Sequence, residues 1–219
     1  IELDIELKTE RVSGTVHWRL RQLSTDATSI IFDAVDFDQI ELKSATVGDP
    51  LWHYDGRKLS VSWPTGTNLD DAEVTIRWHV SQPNAGMYFV GPPSERRGKP
   101  IVGVFTDHET ERARYWLPCI DHPSVRTTIE LEIRSSKKCV HLGPGLPMGY
   151  TGGEYTNSSR WSLDSPCPSY LLCFALGDFA HSQMNAPNGC SLDVFGFSPM
   201  KAVDLSRYFE PTIGMMTWI

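Results

Sequence analysis

A chain of 219 residues, 40% apolar and 21% charged, is long enough for one large or two small domains around a packed core. Twenty basic against 27 acidic residues give a formal net charge of −7 with no basic block, which argues against binding nucleic acid through its phosphates. No apolar run approaches the ~20 residues of a membrane-spanning helix and no secretory leader opens the sequence, so neither nucleic acid nor a membrane is an expected partner. The five cysteines, Cys119, Cys139, Cys167, Cys173 and Cys190, are odd in number and contain no C-x-x-C pair. Reduced, mostly buried thiols and a cytoplasmic location are the expectation.

Taken in chain order, the first 80 residues alternate between apolar and polar in the two-residue period of half-buried strands. "IELDIELK" puts Ile1, Leu3, Ile5 and Leu7 on one face, and "GTVHWRLRQL" does the same with Val16, Trp18 and Leu20. "SIIFDAV", "FDQIELKSATV", "LWHY", "KLSVSWP" and "AEVTIRWHV" follow as further strands, with Asp55-Gly56 as the hairpin turn between two of them. Ser81–Pro100 reads as loop with "GMYFV" as a strand inside it, and "IVGVF" and "TTIELEIRS" are strands beyond. "GYTGGEYTNSSRWSLD" reads as two strands around a turn and "SYLLCFALGDFA" as one buried strand. Asn157-Ser158-Ser159 fits a glycosylation sequon, a triplet common by chance. From Ala202 onward the apolar spacing becomes helical, interrupted at Pro211. The expectation is an all-β domain ending in a short helical segment.

The stretch Thr106–Arg112, "TDHETER", begins like the zinc signature H-E-x-x-H but carries Arg112 where the second histidine belongs. That motif works because residues four apart share a helix face and reach one ion together, and a guanidinium cannot ligate. His17, His53 and His79 fall in separate strands, and His122 stands beside Asp121 with nothing at metal spacing. No metal site is expected in this chain, and each histidine reads as structural or solvated. Neither a phosphate loop, a nucleophile elbow nor a paired-carboxylate motif is present, so no catalytic residue is assigned.

Extended to Pro123, "TDHETERARYWLPCIDHP" resembles the aminopeptidase N family of gluzincin zinc metallopeptidases, whose pattern is T-Q-x-[QE]-x-x-x-A-R-x-x-[FW]-P-C-x-D-x-P. Thr106, Glu109, Ala113, Arg114, Pro118, Cys119, Asp121 and Pro123 match without a gap, while Asp107 replaces the usual glutamine and Leu117 the usual aromatic. "GMYFV" is similar to the family's G-x-Y-x segment, and "CPSYLLCFALGDF" to its S-x-Y-L-x-x-F-x-x-x-x-F strand. The resemblance implies a curved, saddle-like all-β domain of the leukotriene hydrolase N-terminal type over residues 1–199. Residues 200–219 would then begin a catalytic domain whose zinc and general-base motifs are absent from this chain.

The resemblance further implies that the fragment is inactive by itself and orients substrate for an aminopeptidase. In that family the position of Glu109 holds the free α-amino group of the peptide, where a carboxylate gains a charge-assisted hydrogen bond to an ammonium. Asp107 adds a second carboxylate beside it, and Arg114 and Asp121 are expected to support the loop. The implied partners are peptide N-termini and the protein's own catalytic domain, and zinc is expected there, with no cofactor in this chain. An alternative is a non-catalytic scaffold such as a TATA-binding-protein-associated factor, which "RYWLPCID" also resembles.

Overall fold

The computed structural model describes residues 1–21, 24, 26–91, 102–136, 139–186, 189–197 and 200–216. The expected strands form where alternation is strongest. β1 (Glu2–Glu6), β2 (Arg11–Arg19), β3 (Ser29–Asp33) and β4 (Gln39–Ala45) come first, and β5 (Leu51–Tyr54), β6 (Lys58–Ser62) and β7 (Glu73–Ser81) follow. β8 (Met87–Val90) and β9 (Gly103–Thr106) flank residues 92–101, so residues 92–100 of the loop expected up to Pro100 lie outside the described residues. Next are β10 (Arg126–Ser136), β11 (Val140–Leu142), β12 (Leu146–Gly152), β13 (Thr156–Pro168) and β14 (Ala175–Gly177). The hairpin β15 (Phe179–Asn185) and β16 (Ser191–Phe197) precedes the helix α1 (Ala202–Met215). Among the described residues no helix is long and apolar enough to cross a membrane.

A seven-stranded sheet has the order β12-β13-β10-β1-β2-β7-β4, with β1 and β10 parallel and the other pairings antiparallel. The smaller sheets are β11-β14-β9-β8 and β3-β6-β5. Because side chains alternate across a strand, the large sheet buries one face: Leu3 and Ile5, Val12 and Val16, Val74, Ile76 and Trp78, and Ile129, Leu131 and Ile133. These belong to one core with Phe32, Leu59 and Val61 of the three-stranded sheet and Val104 and Leu176 of the four-stranded one. The turn at Asp55-Gly56 closes as its sequence requires: Gly56 has φ +89°, and the Asp55 carboxylate accepts from the N–H groups of Arg57 and Lys58 at 2.8 and 2.7 Å.

Three expectations change. "SYLLCFALGDFA" is not one strand but a single 3-10 turn, Ser169–Leu171, followed by β14 and the start of β15. β14 is three residues long because its pairing is set by β9 and β11, and Asp178 then turns away with its N–H on the Val102 carbonyl at 3.0 Å. α1 runs through Pro211 without interruption. The carbonyl that proline leaves without a helical donor belongs to Arg207, on an exposed part of the helix where water can serve it. Of the five free thiols only Cys119 and Cys139 are buried; Cys167 is half-buried, and Cys173 and Cys190 are exposed. The sequon at Asn157 lies inside β13, and the buried Asn157 amide donates to the Cys139 carbonyl at 3.3 Å, out of reach of a glycosylating enzyme.

Candidate functional site

The motif segment leaves the sheet at Thr106, the last residue of β9. The Thr106 N–H donates to the Phe174 carbonyl at 3.1 Å, and the Phe174 N–H donates to Thr106 Oγ1 at 2.9 Å. Strand-like alternation continues past the strand end: Phe105, Asp107 and Glu109 are exposed, while Thr106 and His108 are buried. Glu109 and Asp107 are therefore brought to the same side of the loop, and the Glu109 N–H donates to Asp107 Oδ1 at 3.4 Å. Among the described residues neither carboxylate forms an ion pair with a basic side chain.

Beneath these two acids the loop is held by apposed backbone. The Asp107 N–H donates to the Gly86 carbonyl at 3.1 Å, and Arg112 N–H to the His108 carbonyl at 3.0 Å. Gly86, with φ +77°, lies so close that a Cβ there would sit 2.0 Å from the Arg112 carbonyl oxygen. Only glycine meets both conditions, so the first residue of "GMYFV" is fixed by the motif loop that it abuts.

A single 3-10 turn, Ala113–Tyr115, then directs Arg114 inward. Its Nε reaches Asp121 Oδ2 at 3.1 Å and its Nη2 reaches the Asp121 carbonyl and Glu111 Oε2, both at 2.9 Å. Asp33 Oδ1 is 3.7 Å from Nη1. Asp121 is buried, and its carboxylate also accepts from the Arg114 N–H at 3.2 Å and from Ser169 Oγ at 2.6 Å. Burial opposes the charge on Arg114, but the bond to Asp121 and the charges of Asp33, Asp121 and Glu111 outweigh it and hold the guanidinium above its ordinary pKa. Arg114 and Asp121 are thus one pair, with the carboxylate fully enclosed and the guanidinium 22% exposed. Asp33 and Ser169 complete it, and sequence reasoning passed over both.

The remaining motif positions are enclosed. Cys119 exchanges backbone hydrogen bonds with Asp33 at 2.7 and 3.1 Å, and burial, reinforced by the Asp121 and Asp33 charges, pushes its thiol well above the usual range. A thiol so protonated is a packing group rather than a nucleophile. Trp18 Nε1 donates to the Pro118 carbonyl at 3.1 Å, tying the loop to β2 of the large sheet. His108 is buried, and its Nε2 accepts from the Trp116 indole N–H at 2.7 Å.

Residues 1–171 match the Peptidase M1 N-terminal domain. The chain belongs to that family. Leucine aminopeptidase 2 of Saccharomyces cerevisiae is 25% identical over 223 residues, covering 96% of this chain and 31% of its own length. The M1 zinc metallopeptidase of Deinococcus radiodurans superposes with a TM-score of 0.67 at 16% identity, over 89% of this chain and 44% of that one. Native leukotriene A4 hydrolase from Saccharomyces cerevisiae gives 0.64 at 20% identity, over 88% and 30%. The chain spans about three tenths of the length of the curated relatives it matches, from 28% to 33%. The all-β architecture with one C-terminal helix is therefore that of an M1 peptidase N-terminal domain.

The M1 domain match takes in the whole motif loop, and β14 to α1 lie beyond it. Among the described residues no group of three or more histidine, cysteine, aspartate or glutamate side chains could hold a metal ion. The described residues of this M1 domain do not fit a zinc site. What the loop offers is acceptor chemistry: two exposed carboxylates set on a buried ionic support.

Proposed function

We propose that this domain orients peptide substrates for a zinc metalloaminopeptidase, with Glu109 anchoring the substrate α-amino group. The observation that carries the reading is the pairing of an exposed Glu109 carboxylate with a loop fixed from below by Arg114 and Asp121. An ammonium set against such a carboxylate gains a charge-assisted hydrogen bond, and no reorganisation of the support is needed to form it. Asp107, two residues back on the same side, adds attraction for the cation. An acetylated amine has neither the charge nor the spare protons, so the site selects free N-termini and restricts the reaction to the first residue.

The chemistry of peptide hydrolysis belongs, in this reading, to a catalytic domain that begins near residue 200, carries the zinc and packs on this one. The exposed Val203, Tyr208, Phe209 and Met215 on α1 suit a helix that packs against another body. The cytoplasm is the compartment that suits five free thiols. The test is a calorimetric titration of the chain with a tripeptide, free and N-acetylated. Binding of the free peptide that is lost on acetylation, and weakened at least tenfold in Glu109→Ala, is the expected result. Equal affinity for the two peptides would overturn the amine-anchoring role.

A further inference from the structure

His108 stands between the two exposed acids, yet its own side chain is 2% exposed. Its ring lies 5.4 Å from that of Trp116, which in turn meets Phe174 edge-on at 5.5 Å. Phe174 is the residue whose backbone clasps Thr106, so the imidazole closes a circuit from the strand end through the 3-10 turn and back. An indole N–H only donates, so the His108 Nε2 that it meets is an unprotonated acceptor and the ring proton sits on Nδ1. Asp107 and Asp121 are the charged groups that favour protonation, and the carbonyls of Ser169 and Leu172 favour it as well. Burial outweighs all of them and brings the imidazole down to about 4. At neutral pH the ring is neutral, with one edge committed to Trp116.

Position 108 is therefore more than a filler beneath the loop. A residue whose neighbours on both sides point outward can fix their direction only if its own side chain is fixed in place. A packed apolar side chain would supply volume. The hydrogen bond supplies orientation as well, and without it the buried indole N–H would have no partner.

We propose that His108 is a positioning residue for Glu109: through its bond to Trp116 it holds the backbone that presents the Glu109 carboxylate to a substrate ammonium. This rests on the amine-anchoring role of Glu109. It assigns to the histidine of "TDHETER" a task unrelated to metal binding, and it makes Trp116 part of the same device.

The experiment is steady-state kinetics on the intact protein that carries this domain, with leucine 7-amido-4-methylcoumarin as substrate. The variants are Glu109→Ala, His108→Phe and His108→Gln. Phenylalanine keeps the volume and removes the acceptor, whereas glutamine can place a carbonyl oxygen where Nε2 was. His108→Phe is expected to raise KM about five- to tenfold with kcat changed less than about threefold, the effect of one lost positioning hydrogen bond. His108→Gln should return KM to within about threefold of the parent. If Glu109→Ala raises KM and His108→Phe does not, the positioning role is overturned and the anchor stands. If Glu109→Ala leaves KM unchanged, the anchor itself fails. Should His108→Phe lower the melting temperature and His108→Gln restore the melting temperature but not KM, His108 is a stability residue only and the proposal fails.

Discussion

Two arginine–carboxylate clusters in this domain use the same residue types under opposite conditions. On the outer face of the seven-stranded sheet Arg134 meets Glu132 at 2.8 Å, Glu2 at 3.5 Å and Asp4 at 3.7 Å, with the Arg134 side chain 40% exposed. Under the motif loop Arg114 meets Glu111 at 2.9 Å, Asp121 at 3.1 Å and Asp33 at 3.7 Å, and the Asp121 side chain is fully enclosed. In the first cluster the shared centre, Arg134, is open to water, which can stand in for a lost carboxylate, although Glu132 itself is only 15% exposed. In the second the shared centre is Asp121, which water does not reach, whereas Glu111 at 47% exposure is a partner that water can replace. The distances alone would rank the two alike, and the surroundings separate them.

The contrast breaks most visibly at Asp121. Replacing it with alanine takes the acceptor from the Arg114 Nε, the Arg114 N–H and the Ser169 hydroxyl together and leaves Glu111 and Asp33 to hold the guanidinium, and a loss of about 3–5 kcal/mol in urea unfolding is expected. A loss below about 1 kcal/mol would put the two clusters in one class. The next effect comes from the backbone that holds the same loop. Gly86→Ala combines a positive φ with a Cβ pressed on the Arg112 carbonyl, so about 2–4 kcal/mol is expected. Gly56→Ala has a positive φ with open space around it and should cost only about 1–2 kcal/mol in the same measurement. Equal losses would show that the approach to Arg112 is unimportant.

Acid sharpens the comparison further. Burial brings His108 and His141 down to about 4. An unfolded chain has these imidazoles near 6.5, so between about pH 6.5 and 4 the unfolded state binds more protons than the folded one. Their stabilisation is complete above 6.5 and declines as pH falls, by up to about 1.4 kcal/mol per pH unit for each ring. Urea midpoints followed from pH 7 to pH 4.5 should drop, and His108→Gln should flatten the slope. The smallest effect belongs to the exposed cluster. Arg134→Ala should cost no more than about 1 kcal/mol and less in high salt. A salt-independent loss would mean that this cluster, too, is effectively buried.

Much of this was legible in the sequence, for local reasons. β1, β2, β7 and β10 announced themselves because each buries one face, so their alternation is complete. β14 and the β15–β16 hairpin did not, since short strands take their limits from partners that a linear pattern leaves out. In the site, Glu109, Asp107, Arg114 and Asp121 all lie within one stretch, and the Arg114–Asp121 pair spans only seven residues. Asp33 and Ser169, which finish that pair, lie 88 and 48 residues from Asp121 in the chain. No spacing rule reaches that far. Trp116 and His108 are close in sequence, but their bond needs the 3-10 turn to bring them together, and the turn has no strong signature of its own.

The place of β1 in the large sheet has a consequence in time. It lies between β2 and β10, with the Ile1 backbone nitrogen donating to the Glu130 carbonyl at 2.7 Å, so its two neighbours are made far apart during synthesis. A ribosome adding about 5–20 residues per second delivers Glu130 roughly 6–26 s after Ile1. Through that interval β1 can pair with β2 alone, and its other edge and the Leu3 and Ile5 side chains await a strand not yet made. Closing so wide a loop comes late and makes folding slow. The half of the domain that leaves the ribosome first is thus the half that cannot finish until the loop bearing Glu109 has already emerged.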